Sequence, residues 1–172
     1  CIRDRIELGF REELRKQGVI RYFGGKVEFI SRGYFDGVDM AMMIHSGKLP
    51  EGKTLSVSQG CNGCITKNIT FKGVASHAGG SPHLGRSALD AAELMNVGCN
   101  YLLEHMIPEA RIHYAYIDAG GTAPNVVQDH AVIRYEVRSP WVSQVKDLFE
   151  RVKNVARGAS IMTDTTVDCE LA

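Results

Sequence analysis

Charge of one sign is nowhere in excess in this chain. Lys and Arg number 20, Asp and Glu number 20, the formal net charge is zero, and no run of like charges stands out. That balance excludes the basic footprint of a nucleic-acid binder and the polybasic patch of a protein held at an acidic membrane. Long apolar runs are also missing. None reaches the ~18 residues that a membrane helix needs, and the opening CIRDRIELGF is too charged for a signal peptide, so a cytoplasmic protein with no membrane partner is expected. The 5 cysteines, Cys1, Cys61, Cys64, Cys99 and Cys169, are odd in number and have no secretory context, which makes reduced thiols the expectation over a disulfide framework. Cys61-Asn62-Gly63-Cys64 has CxxC spacing, but no second CxxC or HxxxH follows to complete a structural zinc site. A surface turn entering a strand is expected there.

What is present suits a globular chain. Its 172 residues are 44% hydrophobic and 23% charged, enough for one domain or two small ones. Two unequal pieces can be read, residues 1–60 and 61–172. In the first, Ile2, Ile6, Phe10 and Leu14 recur every four residues among charges, the stripe of an amphipathic helix that Gly18 ends. Val19–Phe23 then reads as a short buried strand, 26–31 as a helical turn, and VDMAMMIH from Val38 to His45 as a strand covered on both faces. The pattern is α/β, with too few strands to close a core.

The second piece is self-consistent. The spacing predicts a strand from Ile65 to Val74. A helix follows through Ala88, Ala92, Met95, Cys99, Leu102 and Met106, closed by Pro108. Ile112–Tyr116 and Val132–Arg138 alternate as strands, the second with Ile133, Tyr135 and Val137 on one face and Arg134, Glu136 and Arg138 on the other. A helix through Val145, Leu148, Phe149, Val152, Val155 and Ala159 and a last strand from Thr165 to Leu171 complete the order. This βαββαβ order predicts a ferredoxin-like α+β arrangement, an antiparallel sheet with both helices on one face.

Between the first strand and helix of this piece lies SHAGGSPH, from Ser76 to His83. Glycine and proline at that density mark a bend, and the bend carries two imidazoles. With FKGVASHAGGSPHLGRSALDAAELMNVGCNYLLEHM and ARIHYAYIDAGGTAPNVVQDHAVIRYEVRSP around it, the sequence resembles the metal-dependent amidohydrolases of the M20 peptidase group, and within it the aminobenzoyl-glutamate utilization branch. The resemblance covers nearly all of residues 64–172 and, less closely, 18–52. It implies a catalytic α/β domain, of which 1–60 would be part, holding two divalent metal ions, zinc or manganese. It also implies an inserted ferredoxin-like lid, here 61–172, that forms a homodimer or a heterodimer with a paralogous subunit.

The same resemblance implies roles for four residues. His77 matches the histidine that reaches into the partner subunit's site and hydrogen-bonds the scissile carbonyl, where a preplaced donor stabilises the charge that grows on oxygen. Asn125 matches an asparagine that positions the substrate at the dimer interface. Arg138 matches the arginine that pairs with the substrate's free carboxylate, a role for which a guanidinium fork is suited. His45 stands in the position of a metal ligand. The implied substrate is an N-acyl or N-aroyl amino acid, such as p-aminobenzoyl-glutamate, cleaved at its amide bond. His83 lies in a Pro-His step often seen in this branch and is given no mechanistic role, while His105, His113 and His130 read as surface or strand residues.

The departures are as clear. An early Cys-Gly-His or His-x-Asp motif, a Pro-Ala-Glu-Glu segment and a late histidine ligand are not in this sequence, and the acidic segment would fall where Tyr22-Phe23-Gly24-Gly25-Lys26 stands. The chain therefore reads as stretches of a longer hydrolase. The other reading is a non-catalytic ferredoxin-like dimerisation or ligand-sensing module derived from that family. The missing motifs favour the module, and the retained His77, Asn125 and Arg138 favour the hydrolase.

Overall fold

The computed structural model of the protein describes residues 2–44, 49, 51–57 and 60–171. His45 lies outside the described residues. The chain divides into two compact units, residues 1–56 and 57–172.

In the first unit, helix α1 (Ile2–Lys16) stops at Gly18, whose φ of 72° only glycine adopts at no steric cost. The second helix, α2 (Gly25–Ser31), is where the helical turn is expected. The two strands expected here do not form. Residues 19–23 are irregular because their polar backbone is used otherwise: the N–H groups of Arg21 and Tyr22 both donate to the Glu28 carboxylate at 2.9 Å, and the Arg32 guanidinium caps the Val19 carbonyl. With Arg32 Nε also donating to it at 2.6 Å, Glu28 is buried yet satisfied, and the Tyr22 N–H, ahead of Arg32, holds its pKa below the usual carboxylate range. The apolar run from Val38 is likewise no strand. Met40, Met42 and Ile44 are 88%, 99% and 99% exposed. An extended run becomes a buried strand only against partner strands, and none pairs with it among the described residues.

The second unit has a mixed α/β architecture built on one small sheet. Strands β1 (Gly63–Lys72), β3 (Arg111–Asp118), β5 (His130–Ser139) and β6 (Thr166–Leu171) lie in the order β3-β5-β1-β6, each neighbouring pair antiparallel. Helices α3 (Ala88–Leu102) and α4 (Val142–Met162) pack on one face. The alternation along β5 does what its sequence predicts: Ala131, Ile133, Tyr135 and Val137 are fully buried, with Val132, Arg134 and Glu136 between them on the other face. Ile69 and Phe71 of β1 continue that surface, and Ala92, Met95 and Cys99 of α3 meet Val145, Phe149 and Val152 of α4 above it. Each large side chain so buried contributes about 1.5–3 kcal/mol. Burial pushes the Cys99 thiol up to about 11, so it packs as a small hydrophobe.

Two elements end short of the expectation. The Ser87 side chain caps α3 by accepting from the Asp90 N–H, but the helix ends at Leu102 and not near Met106. There the Leu103 N–H bonds Asn100 O, tightening the chain into a 3-10 turn over Leu103–His105. Strand β1 ends at Lys72, two residues short of Val74, for a reason that bears on the site.

Candidate functional site

At Gly73 the chain leaves β1 under tight constraint. Its N–H donates to Asp129 O at 2.7 Å, and a Cβ on Gly73 would lie 2.0 Å from the Arg86 carbonyl oxygen. Val74 and Arg86 then exchange a reciprocal pair of backbone hydrogen bonds, each 2.9 Å. This clasp turns the chain into a short ribbon that the sequence does not announce: β2 (Ser76–His77) pairs antiparallel with β4 (Val126–Val127), with His77 opposite Val126. Gly85 lets the flanking loop approach, since a Cβ there would meet Ser76 Oγ at 2.4 Å and Val127 Cγ1 at 2.9 Å. The ribbon is tied to α3 by the Ala88 N–H, which donates to Gln128 O at 2.8 Å.

The ribbon brings His77 and Asn125 together. The Ala78 N–H donates to Asn125 O at 2.9 Å, and both side chains are exposed. The His77 ring is held from within its own loop: Nδ1 accepts from the Gly79 N–H at 3.1 Å and the Gly80 N–H at 2.9 Å, while the Ser81 N–H donates to His77 O at 2.9 Å. Beside it, a cavity of about 340 Å³ is lined by Ala78, Pro82, Gly85, Ser87, Asp90 and Pro124. Ser76 Oγ is buried and makes no hydrogen bond among the described residues.

Arg138 does not join them within one chain. It pairs with Cys64 at one end of the sheet, while His130, next to the ribbon, pairs with Lys72 at the other, eight residues or about 26 Å away at about 3.3 Å per residue. Arg138 is 51% exposed and its Nε donates to Glu136 Oε1 at 2.5 Å, so a ligand carboxylate would take the terminal nitrogens of the fork.

His130 is a feature that composition does not flag. Its Nδ1 lies 2.8 Å from Asp129 Oδ1 and its Nε2 3.0 Å from Asp118 Oδ2, so it clamps the end of β3 to the start of β5 beneath the loop that carries Asn125. Asp129, ahead of Asp118, raises its basicity, while the Gly120 N–H, ahead of His130, lowers that of Asp118. The adjacent Asp129-His130 pair at a strand start is the only trace of this in the sequence.

The described residues do not fit a metal centre. Among the described residues no group of three or more His, Cys, Asp or Glu is placed to hold a metal ion. Cys61 and Cys64 are exposed free thiols. Among those residues, also, no helix is long and apolar enough to cross a membrane.

Comparison with known proteins adds what geometry alone does not. Residues 60–161 match the family described as "Peptidase dimerisation domain". The chain is 42% identical over 166 residues to one of the p-aminobenzoyl-glutamate hydrolase subunits of Escherichia coli, covering 92% of this chain and 34% of that protein. It is 31% identical over 148 residues to indole-3-acetyl-aspartic acid hydrolase of Enterobacter agglomerans, covering 86% and 34%. Among solved structures it resembles an aminobenzoyl-glutamate utilization protein from Klebsiella pneumoniae, with TM-score 0.56 and 30% identity over 63% of this chain and 27% of that one. A hydantoinase/carbamoylase family amidase from Burkholderia ambifaria shares the fold, with TM-score 0.62 at 15% identity over 66% and 28%. The chain spans about a third of the length of the curated relatives it matches.

Proposed function

We propose, given that the chain belongs to the M20 peptidase family, that residues 57–172 are a ferredoxin-like dimerisation module that joins a second copy through the β3 edge. The observation that carries this reading is the edge itself. Seven of the eight β3 residues are exposed, among them Tyr114, Tyr116 and Ile117, and no strand lies beyond it among the described residues. Asn96, which donates to the Tyr116 hydroxyl at 3.1 Å, ties α3 to that edge. An open edge flanked by apolar side chains is a pairing template. The opposite edge, β6, carries Asp168, whose charge discourages pairing with a like edge.

Two-fold pairing also supports a role for the separated site residues. In an antiparallel β3–β3 contact about the strand's centre, the His77 end of one sheet lies beside the Arg138 end of its partner. The two β5 strands are then three spacings apart, about 14 Å at about 4.8 Å each, against about 26 Å along a single chain. A site that uses His77 and Asn125 together with Arg138 is thus more compact across the dimer than within one subunit. On this reading the assembled enzyme hydrolyses the amide of an N-acyl or N-aroyl amino acid. Two relatives named for p-aminobenzoyl-glutamate and indole-3-acetyl-aspartic acid hydrolysis support that substrate class. The described residues supply no metal site and His45 is a single imidazole, so the module itself is non-catalytic. The divalent ions, zinc or manganese, belong to other parts of the assembled hydrolase.

Sedimentation over a concentration series tests the contact. Self-association is expected, and Tyr114→Glu, at a 45% exposed position in the middle of β3, should weaken it by about 10-fold or more, because an isologous contact sets the new charge near its own copy. Ile161→Glu, at an 80% exposed position near the end of α4, should leave it unchanged. A monomer at every concentration, or equal effects of the two changes, overturns the reading.

A further inference from the structure

We propose that Gly79 and Gly80 are positioning residues that fix His77 as its Nε2–H tautomer, so that the exposed ring presents a hydrogen-bond donor to an acceptor oxygen of a ligand. A neutral imidazole has one protonated and one bare nitrogen, and which is which follows from the partner of either. Here that partner is unambiguous. Backbone N–H groups only donate, and two of them point at Nδ1, at 3.1 and 2.9 Å. A proton on Nδ1 would face two others, so the proton sits on Nε2. Among the described residues Nε2 has no partner, and the ring is exposed.

The loop is built to hold this arrangement. The His77 backbone is held by the ladder to Val126 and by the Ser81 N–H on its carbonyl, and the Ala78 N–H anchors the next residue on Asn125 O. Neither Gly79 nor Gly80 has the positive φ that calls for glycine, which sets them apart from Gly120 and Gly121. What marks them is closeness to the ring: a Cβ on Gly79 would lie 3.5 Å from Cε1, and one on Gly80 3.4 Å from Nδ1. Their function resides in the two N–H groups.

The chemical consequence rests on the proposed amidohydrolase reading. A ring locked with its outward nitrogen protonated donates to a carbonyl oxygen or a carboxylate, and it does not serve as a general base through that nitrogen. His77 thus orients and polarises an acceptor and leaves proton abstraction to another group.

The test begins with the chain itself. Long-range proton–nitrogen correlation on histidine-labelled protein at mildly alkaline pH reads the tautomer of each ring, and the His77→Gln variant assigns the signal. For His77 a bare Nδ1 and a protonated Nε2 are expected, while His83, exposed in the same loop, serves as the averaged reference. A protonated Nδ1, or a pattern equal to that of His83, overturns the lock. Gly80→Ala keeps the N–H and should keep the pattern, whereas Gly80→Pro removes it and should move the pattern toward that of His83. Should the proline variant not fold, the unsubstituted spectrum decides alone. In the active assembly, His77→Gln sets an amide nitrogen near the Nε2 position and His77→Asn does not. The Gln variant should retain about 10-fold more turnover than the Asn variant, within the span that oxyanion donors command. Equal losses with the tautomer intact would remove His77 from the shared site and leave the lock standing.

Discussion

Replacing Gly73 by alanine should cost more stability than any other glycine change near the site, and the amount can be worked from the clasp. The added Cβ would stand 2.0 Å from the Arg86 carbonyl oxygen, where an ordinary carbon–oxygen approach is about 3.3 Å, so backbone must move by about 1.3 Å. Neither Gly73 nor Arg86 can yield by rotating a side chain, since the colliding atom is backbone. Movement of that size breaks the reciprocal Val74–Arg86 pair and strains the Gly73 bond to Asp129 O, at about 1 kcal/mol each. Residual overpacking adds about 1–3 kcal/mol, and the restricted unfolded chain returns about 0.4–1 kcal/mol. The balance is a loss of about 4 kcal/mol, which at a urea dependence of about 2 kcal/mol per M lowers the midpoint by about 2 M. Fluorescence of Trp141, the single tryptophan, at the N-terminus of α4, reports the unfolding. Gly80→Ala is the control, because its Cβ meets the His77 ring at 3.4 Å, an ordinary contact. A Gly73→Ala midpoint within error of that control would refute the close-approach argument and with it the account of why β1 ends at Lys72.

Because Asp129 and then Asp118 raise the folded-state value of His130, the clamp's contribution is fully present below the ordinary histidine value of about 6.5 and is lost as pH rises through the raised folded value. Asp118, depressed by the Gly120 N–H and then by His130, contributes above the ordinary carboxylate value of about 3.9 and loses that as pH falls through its lowered one. The midpoint gap between the unsubstituted chain and His130→Gln should therefore be present at about pH 5.5 and vanish by about pH 9; a gap that grows with pH contradicts the sign. Tyr135→Phe should cost about 1–2 kcal/mol, since the fully buried Tyr135 hydroxyl donates to Asn96 Oδ1 at 2.6 Å and its removal leaves that oxygen without its donor. Tyr116→Phe, at a 38% exposed position where water replaces the lost acceptor, should cost less than about 0.5 kcal/mol, and equal costs in urea titrations would refute the distinction.

The second unit was legible because its signals are periodic and its partners lie in the same segment. Ile133, Tyr135 and Val137 announce a strand by alternation, and they are buried because β1 and β3, with two helices above, are within reach in the sequence. The first unit shows the limit of that reasoning. Val38–Ile44 is as apolar as a buried strand, but apolar character records a demand for cover and does not supply it, and those side chains stay exposed. Val19–Phe23 failed for another reason. One carboxylate, Glu28, sits where it can take two of the N–H groups that a ladder would use, and a propensity window cannot weigh such a competitor.

At the candidate site, the distances between the residues could not be read from the sequence. His77 and Asn125 lie 48 positions apart in the sequence, yet the ribbon joins them through the Ala78 N–H and Asn125 O, and two strands of two residues each are too short for any period to reveal. Asn125 and Arg138 are only 13 positions apart, and the sequence offers them as neighbours. From His130 onward, however, the chain is extended in β5, and each residue carries Arg138 about 3.3 Å farther from the ribbon. Alternation along β5 cannot bring it back, because the strand must run the full length of β1 to bury Ala131, Ile133, Tyr135 and Val137. The burial that stabilises the fold is thus what separates the two ends of the candidate site, and the proposed β3–β3 pairing would restore their proximity without unpairing a strand.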